Sequence, residues 1–232
     1  MPGNIVDRID DRVKIRTVLV SVFNKTGLDV LVPGLVRINP DIRILSTGGT
    51  YGALEKMLGA QAKGRLIQVS DYTGQPETQG GLVKTLDFKI YLGLLTETYN
   101  PAHQDDLQRT GADPIDMAVV NLYPFAQVTA NPGVTPEEAR ANIDIGGPCM
   151  VRASAKNYIR VASVTDPAEY DTVLRRLEEL GGCLDLATRF FLAQEAFAMT
   201  ARYEAAIARY FGQIDPRGMR DFYEIQNPEQ GA

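Results

Sequence analysis

Short, almost wholly apolar runs alternate with helix-forming segments along this 232-residue chain, and this alternation restricts the possible folds more than any other feature. The runs read TVLVSV, IRILS, RLIQVS, IDMAVVNL and RVASVT. Strands that are apolar on both faces are typical of parallel sheets covered by helices on both sides. The pattern therefore predicts an α/β layer sandwich with a mostly parallel sheet.

The segments between these runs predict helices, with two features that mark their ends. Pro33-Gly34 falls inside the helical stretch at about 28–39 and predicts a kink or an early break. Thr135, followed by proline, predicts an N-cap. Residues 1–16 are charged and aperiodic and are interpreted as an extension, 17–211 as one domain, and 212–232 as a polar tail.

Composition excludes several classes of function. The net charge is −5, which disfavours a broad nucleic-acid surface. No apolar run reaches the roughly 18 residues of a membrane span, and the polar N-terminus does not resemble a signal peptide, so we expect a cytoplasmic protein without a membrane partner. Cys149 and Cys183 stand apart from any metal-ligand cluster, so no metal is expected.

His103 is the only histidine in the chain. A mechanism that needs a histidine pair is therefore excluded, and a serine–histidine relay would have to use this one residue. Proton transfer falls to lysine, tyrosine, aspartate or glutamate side chains.

The segment STGGT, residues 46–50, joins a predicted strand to a predicted helix. Helix N-termini expose unpaired N–H groups, and glycines let an anion approach them closely. With hydroxyls from Thr47 and Thr50 and the charge of Lys25, the turn suits one phosphate group. It matches neither a Walker loop nor a dinucleotide fingerprint. The alternative is that Thr47 only caps the helix.

Three further segments carry groups that could do chemistry. GGLVKT offers glycine N–H groups beside Lys84 and Thr85, NLYPF places Tyr123 after a strand, and IDIGGPCMVRASAKN contains Asp144 and Lys156. Each has an ordinary explanation: a surface lysine, a packed tyrosine, or an aspartate that stabilises a helix start. The helix before Lys156 would span about 12 Å, so it meets Asp144 only if the helix is short or the chain folds back.

Taken in order, SVFNKTGL, STGGT, TGQPETQGG, VKTL, NLYPF, IDIGG and RASAKN closely resemble the IMP cyclohydrolase domain of the bifunctional purine-biosynthesis enzymes. The resemblance runs from about residue 18 to 211. It implies a methylglyoxal-synthase-like three-layer sandwich with C-terminal helices. It also implies a free-standing cyclohydrolase, since the formyltransferase domain that normally follows has no room here.

The resemblance also implies a reaction and a site. The carboxamide nitrogen of a formamido-imidazole ribotide attacks the formyl carbon of the same molecule, and water leaves to give inosine monophosphate (IMP), without a cofactor or metal. The implied partners are this small-molecule substrate and its product, and the implied assembly is a homodimer. The implied catalytic residues are Lys84, Tyr123, Asp144 and Lys156. The implied phosphate-binding residues are Ser21, Lys25, Thr47, Gly48, Gly49, Thr50 and Thr85, and the implied base contacts are Asn121 and Gly146.

The chain departs from the family pattern near its second glycine pair. Leu82 stands where an arginine is expected, Asp87-Phe88 replaces His-Pro, and Tyr91 replaces a histidine. The arginine would have been a bidentate phosphate partner, so the expectation is either a weaker affinity for phosphate or substitution by another cation such as Arg65 or Lys89. These departures support one alternative, a non-catalytic sensor of purine nucleotides. A second alternative, a methylglyoxal-synthase-type lyase acting on a triose phosphate, matches the fold but leaves NLYPF, IDIGG and RASAKN unexplained.

Overall fold

The computed structural model describes residues 5–75 and 85–226. Its strands are β1 (Arg12–Lys14), β2 (Thr17–Val22), β3 (Arg43–Ser46), β4 (Leu66–Gln68), β5 (Met117–Asn121), β6 (Ala162–Val164) and β7 (Cys183–Asp185). Its α-helices are α1 (Leu28–Ile38), α2 (Gly48–Leu58), α3 (Val69–Thr73), α4 (Phe88–Leu95), α5 (Pro101–Thr110), α6 (Phe125–Thr129), α7 (Pro136–Ala141), α8 (Gly146–Lys156), α9 (Tyr170–Glu179) and α10 (Leu186–Phe211). Within this part of the chain, no helix is both long enough and apolar enough to cross a bilayer.

Five strands form a parallel sheet in the order β4-β3-β2-β5-β6. The chain moves outward from β2 to β4 and then returns to the other side of β2 with β5. The carboxyl ends of β2 and β5 therefore meet at a topological switch point, where ligands of open α/β sheets commonly bind.

The sheet has one apolar core on each face. Val18 and Val20 of β2 pack on the side of α1 and α9, whereas Leu19 packs on the side of α4 and α8. Successive strand residues point to opposite faces, so a strand buried on both sides needs a continuous apolar run. The predicted three-layer α/β sandwich is confirmed.

A second, two-stranded sheet pairs β1 with β7 antiparallel, with Arg12 opposite Asp185. Arg189, in the α10 helix that follows β7, has a fully buried side chain. Its guanidinium donates hydrogen bonds to the backbone carbonyls of Asp10, Asp11, Tyr158, Ile159 and Leu184. Residues 10–14, placed in an aperiodic extension by the sequence analysis, are thus bound to the main body of the sheet domain.

The described residues form two compact units. The first comprises those within Met1–Leu122 and Ile145–Met199 and contains both sheets; the second comprises those within Tyr123–Asp144 and Thr200–Ala232. The α10 helix contributes residues to both units. The predicted division into an extension, one domain and a tail stays a prediction.

The predicted early break at Pro33-Gly34 is wrong, because α1 continues through both residues to Ile38, while the alternative of a kink stays a prediction. A Cβ on Gly34 would lie 2.7 Å from Leu174 Cδ2 of α9. The glycine therefore permits a close approach of the two helices, and the burial of their apolar faces outweighs the hydrogen bond that Pro33 removes.

Candidate active site

The switch point brings three polar side chains to one edge of the parallel sheet. Ser21 lies next to the last residue of β2, Thr47 follows β3, and Asn121 ends β5. Ser21 and Thr47 are in contact, with 3.0 Å between Oγ and Oγ1. Within the first unit, residues that follow or end three different strands therefore lie at the same edge of the parallel sheet.

The start of α2 is left open by its own N-cap residue. The side chain of Thr47 makes no capping hydrogen bond and contacts Ser21 instead. Gly48, whose φ is +44°, and Gly49 are exposed. Their N–H groups lie in the first turn of α2 and have no partner among the described residues. The capping alternative is therefore not what the structure contains, and the turn offers two backbone donors to an anion.

Thr50 has a different role from the one expected. Its side chain is buried, and its hydroxyl donates to the carbonyl of Val22 at 2.9 Å and accepts from the Val22 N–H at 3.2 Å. Both functions of the hydroxyl are used within the fold. Thr50 therefore fixes the start of α2 against the end of β2, and its hydroxyl is not available to a phosphate.

Asn121 holds the loop between β2 and α1. Its Oδ1 accepts hydrogen bonds from the N–H groups of Phe23 and Asn24, both at 2.8 Å, and its Nδ2 donates to the carbonyl of Asn24 at 2.8 Å. One amide N–H remains for a ligand base. The same loop carries Lys25, which is exposed and close enough to donate to the Phe23 carbonyl at 3.3 Å. Asn121 thus positions the loop cation, a role that the sequence did not indicate.

Thr85 and Gly146 lie in direct contact at the start of α8. A Cβ built on Gly146 would lie 2.4 Å from Thr85 Oγ1, far inside van der Waals contact. Glycine at 146 is therefore required by the closeness of Thr85, which is itself buried. The family resemblance implies both residues as ligand contacts, but no sequence motif indicates that they touch each other.

The Gly146→Ala variant is expected to lose about 1–3 kcal/mol of unfolding free energy, because the new methyl group overlaps the Thr85 hydroxyl. Urea unfolding followed by circular dichroism measures the loss. Adding Thr85→Ala removes the overlapping oxygen, so the double variant should recover part of it. A double variant as unstable as the sum of the two single variants would contradict this contact.

Lys156 is not brought to Gly146. The two residues are the last and first of α8, which is about 15 Å long. Since α8 leads into the beginning of β6, its last residue, Lys156, lies toward the sheet edge opposite to the glycine turn. Its catalytic role stays a prediction that this geometry does not favour.

Arg65 cannot replace the arginine expected at position 82. Its guanidinium donates to the carbonyls of Gln61 at 2.6 Å and Pro40 at 2.7 Å, at the amino end of the sheet. Lys89 lies in the first turn of α4, where its Nζ is 3.4 Å from the carbonyl of Tyr72, and it stays a candidate. Leu82 itself lies outside the described residues.

The other two departures from the family pattern have clear places in α4. Asp87 is the N-cap, and its carboxylate accepts a hydrogen bond from the Lys89 N–H at 2.8 Å. The hydroxyl of Tyr91 is buried beside Cys149, and this burial raises the pKa of the tyrosine. The Asp87 substitution is explained by helix capping.

Tyr123 and Asp144 belong to the second unit, and Lys84 lies outside the described residues. Tyr123 follows β5 by two residues and is about half exposed, at 48%. The backbone N–H of Asp144 donates to the hydroxyl of Tyr203 at 2.7 Å. Tyr203 gave no signal in the sequence, because a tyrosine within a helical pattern reads as ordinary packing.

The arrangement offers donors and titratable groups rather than metal ligands. Within residues 5–75 and 85–226, no group of three or more histidine, cysteine, aspartate or glutamate side chains could hold a metal ion. Backbone N–H groups, hydroxyls and the amide of Asn121 are suited to a phosphorylated, hydrogen-bonding ligand.

Comparison with known proteins places this arrangement in a family. A model described as "MGS-like domain" matches residues 30–149. The chain belongs to the MGS-like domain family. A second model, described as "AICARFT/IMPCHase bienzyme", matches residues 154–230 of this MGS-like protein. The resemblance drawn from the ordered motifs is thus confirmed.

The relatives of this MGS-like protein include bifunctional purine biosynthesis proteins PurH. That of Synechococcus sp. (strain CC9605) is 46% identical over 195 residues, covering 84% of this chain and 36% of the relative. That of Magnetococcus marinus is 44% identical over 205 residues, covering 88% and 37%. The chain thus spans little more than a third of these relatives. A solved structure titled "Crystal structure of ForH" superposes with a TM-score of 0.73 at 32% identity, covering 85% of this chain and 97% of that one.

Proposed function

We propose that this protein is an IMP cyclohydrolase. It would close 5-formamido-1-(5-phospho-D-ribosyl)imidazole-4-carboxamide to inosine monophosphate, the final step of de novo purine biosynthesis. The observation that carries the proposal is the uncapped start of α2, which faces the switch point of an MGS-like sheet in a chain related to PurH proteins. A single phosphate fits two glycine N–H groups beside the loop that carries Lys25.

The phosphate would anchor the ribotide and leave its imidazole substituents to react. We assign the phosphate to Gly48 and Gly49, with the hydroxyls of Ser21 and Thr47 and the ammonium of Lys25. Asn121 and Gly146 remain proposed base contacts, and Thr85 is kept as a neighbour of the ligand. Both reacting groups already belong to one molecule, so binding would contribute by holding the rotamer in which the carboxamide nitrogen faces the formyl carbon.

The chemistry consists of one bond made and one water lost. The carboxamide nitrogen attacks the formyl carbon, and the formyl oxygen gains negative charge that Lys84 and Tyr123 would stabilise and protonate. Asp144 would accept a proton from the amide nitrogen. Loss of the resulting hydroxyl group together with the proton of the formamido nitrogen then gives the C=N bond of IMP and water. We route no step through Lys156.

We further propose a cytoplasmic homodimer that acts on small molecules rather than nucleic acid. The acidic net charge of −5 supports the lack of a nucleic-acid partner. The kinship with PurH biosynthetic proteins supports the compartment, and the dimer rests on the family resemblance.

Incubation of the purified protein with the formamido ribotide tests the proposed reaction. The expected result is the appearance of IMP, followed by ultraviolet absorbance and confirmed by mass. Binding of the ribotide without product would overturn the proposal in favour of the nucleotide sensor. Production of methylglyoxal from a triose phosphate would instead favour the lyase.

The Gly48→Ala variant is expected to weaken IMP binding by about tenfold. Its φ of +44° costs an alanine roughly 1–2 kcal/mol, which the turn avoids by moving its N–H groups away from the phosphate. Titration calorimetry measures the dissociation constant. Gly52→Ala is the matched control in the same helix, because a Cβ there meets nothing within 4 Å. Equal affinity in both variants would place the phosphate elsewhere.

A further inference from the structure

Asp144 lies in the short segment between α7 and α8, where one side chain from α10 completes the backbone hydrogen bonding. The N–H groups of Asn142 and Ile143 donate to the carbonyls of Ala139 and Arg140, both at 3.1 Å. The next N–H, that of Asp144, donates to the Tyr203 hydroxyl at 2.7 Å. Tyr203 thus holds the backbone of Asp144 after the preceding turn has ended.

The ring of Tyr203 is itself held by aromatic packing within the second unit. Its centroid lies 6.4 Å from that of Phe125, with an interplanar angle of 72°. Phe125 is fully buried and makes a similar edge contact with Tyr210, at 5.9 Å and 88°. Edge-to-face pairs of this kind add about 0.5–1.5 kcal/mol beyond their buried area. The phenol is therefore a rigid acceptor.

The same aromatic cluster is connected to Tyr123. Phe125 begins α6, and its N–H donates to the Tyr123 carbonyl at 2.8 Å. Phe125 therefore links the chain segments of both proposed catalytic residues through the Tyr203 ring.

The chemical state of Tyr203 suits an acceptor of the Asp144 N–H. Burial, together with the nearby charge of the Asp144 carboxylate, raises the pKa of the phenol, while the Asp144 N–H opposes this. The hydroxyl therefore stays protonated at neutral pH, and its oxygen accepts a neutral hydrogen bond.

We propose that Tyr203 is a positioning residue for ring closure, which orients Asp144 through its backbone N–H and the Tyr123 segment through Phe125. This inference rests on the proposed function. A proton acceptor must be held within about 0.5 Å of its productive place, and a displacement of about 1 Å can cost 10²-fold in rate. A phenol on a 26-residue helix supplies that restraint better than a loop could.

The Tyr203→Phe variant tests the proposal because it keeps the ring and removes only the hydroxyl. We expect kcat to fall about 10–100-fold, while KM changes less than about threefold because the phosphate site lies on other elements. Tyr210→Phe is the matched control: it lies in the same helix and contacts the same Phe125, and no described residue bonds its hydroxyl. Its kcat should equal that of the parent.

A double-variant cycle separates positioning from a purely structural role. If Tyr203 acts through Asp144, adding Tyr203→Phe to Asp144→Asn should lower kcat by less than about threefold further. A purely structural role would lower the melting temperature and leave kcat of the folded protein unchanged.

Three results would overturn the inference. If the parent is active and the Tyr203→Phe variant is equally active, the inference about Tyr203 is rejected while the proposed function stands. An equal fall in kcat in both backgrounds would also reject it, because Tyr203 would then act independently of Asp144. A parent that binds the ribotide but makes no IMP rejects the proposed function, and the inference falls with it.

Discussion

Replacing Asp144 with asparagine is expected to lower kcat for IMP formation by about 10²–10⁴-fold, the range for loss of a general base. Asparagine has the same shape and keeps the backbone N–H that donates to Tyr203. It cannot accept the proton from the carboxamide nitrogen. A steady-state assay of ring closure, with KM measured separately, gives the change, and we expect KM to stay within about threefold.

The control for this change is Asp41→Asn, which alters an exposed carboxylate before β3, at the sheet edge opposite to the glycine turn. Both variants lose one negative charge, so an effect of net charge alone would appear in both. If Asp144→Asn turns over like the parent while its melting temperature is unchanged, the amide proton leaves by another route and our assignment is wrong.

The Arg189→Met variant is expected to lose about 3–5 kcal/mol of unfolding free energy, because several buried carbonyls lose their hydrogen-bond donors. Methionine fills a similar volume, but the five carbonyls that Arg189 contacts would lose a charged donor in a buried place. Burial lowers the pKa of Arg189, yet an arginine stays charged. The variant therefore loses both the positive charge and the N–H donors of the guanidinium.

Urea unfolding measures this loss against Arg202→Met, an exposed position of the same helix that should change stability by less than about 0.5 kcal/mol. Where Arg189→Met fails to fold, Arg189→Lys keeps the charge but not the fork and gives a measurable intermediate loss. An Arg189→Met protein as stable as the Arg202→Met control would show that water replaces the guanidinium at these carbonyls.

The parallel sheet could be predicted because burial on both faces leaves its mark in the sequence. The strands at TVLVSV and IDMAVVNL are confirmed, as is the N-cap Thr135 with its complete capping box. The strands β1 (RVK) and β7 (CLD) were missed, because three mixed residues have no readable period. The five-residue helices α3 and α6 were missed for the same reason.

The site was less predictable than the sheet, because a sequence motif does not show which of its side chains already form hydrogen bonds within the fold. The glycine turn could be predicted from the order of strand and helix along the sequence. That the Thr50 hydroxyl is used by Val22, and that Arg65 is held by carbonyls at the other edge, depends on tertiary contacts. Tyr203 reaches Asp144 from a distant helix, so no local pattern could indicate it.

The pairing of β1 with β7 sets an order of events while the chain is being made. About 170 residues separate the two strands, so at 5–20 residues per second β1 leaves the ribosome roughly 10–30 s before its partner. During that interval the strands of the parallel sheet can pair with one another, but β1 has no partner strand. Chaperones that bind nascent segments would therefore meet residues 10–14 unpaired. Synthesis arrested before Arg189 would leave this segment permanently without its hydrogen bonds to the Arg189 guanidinium.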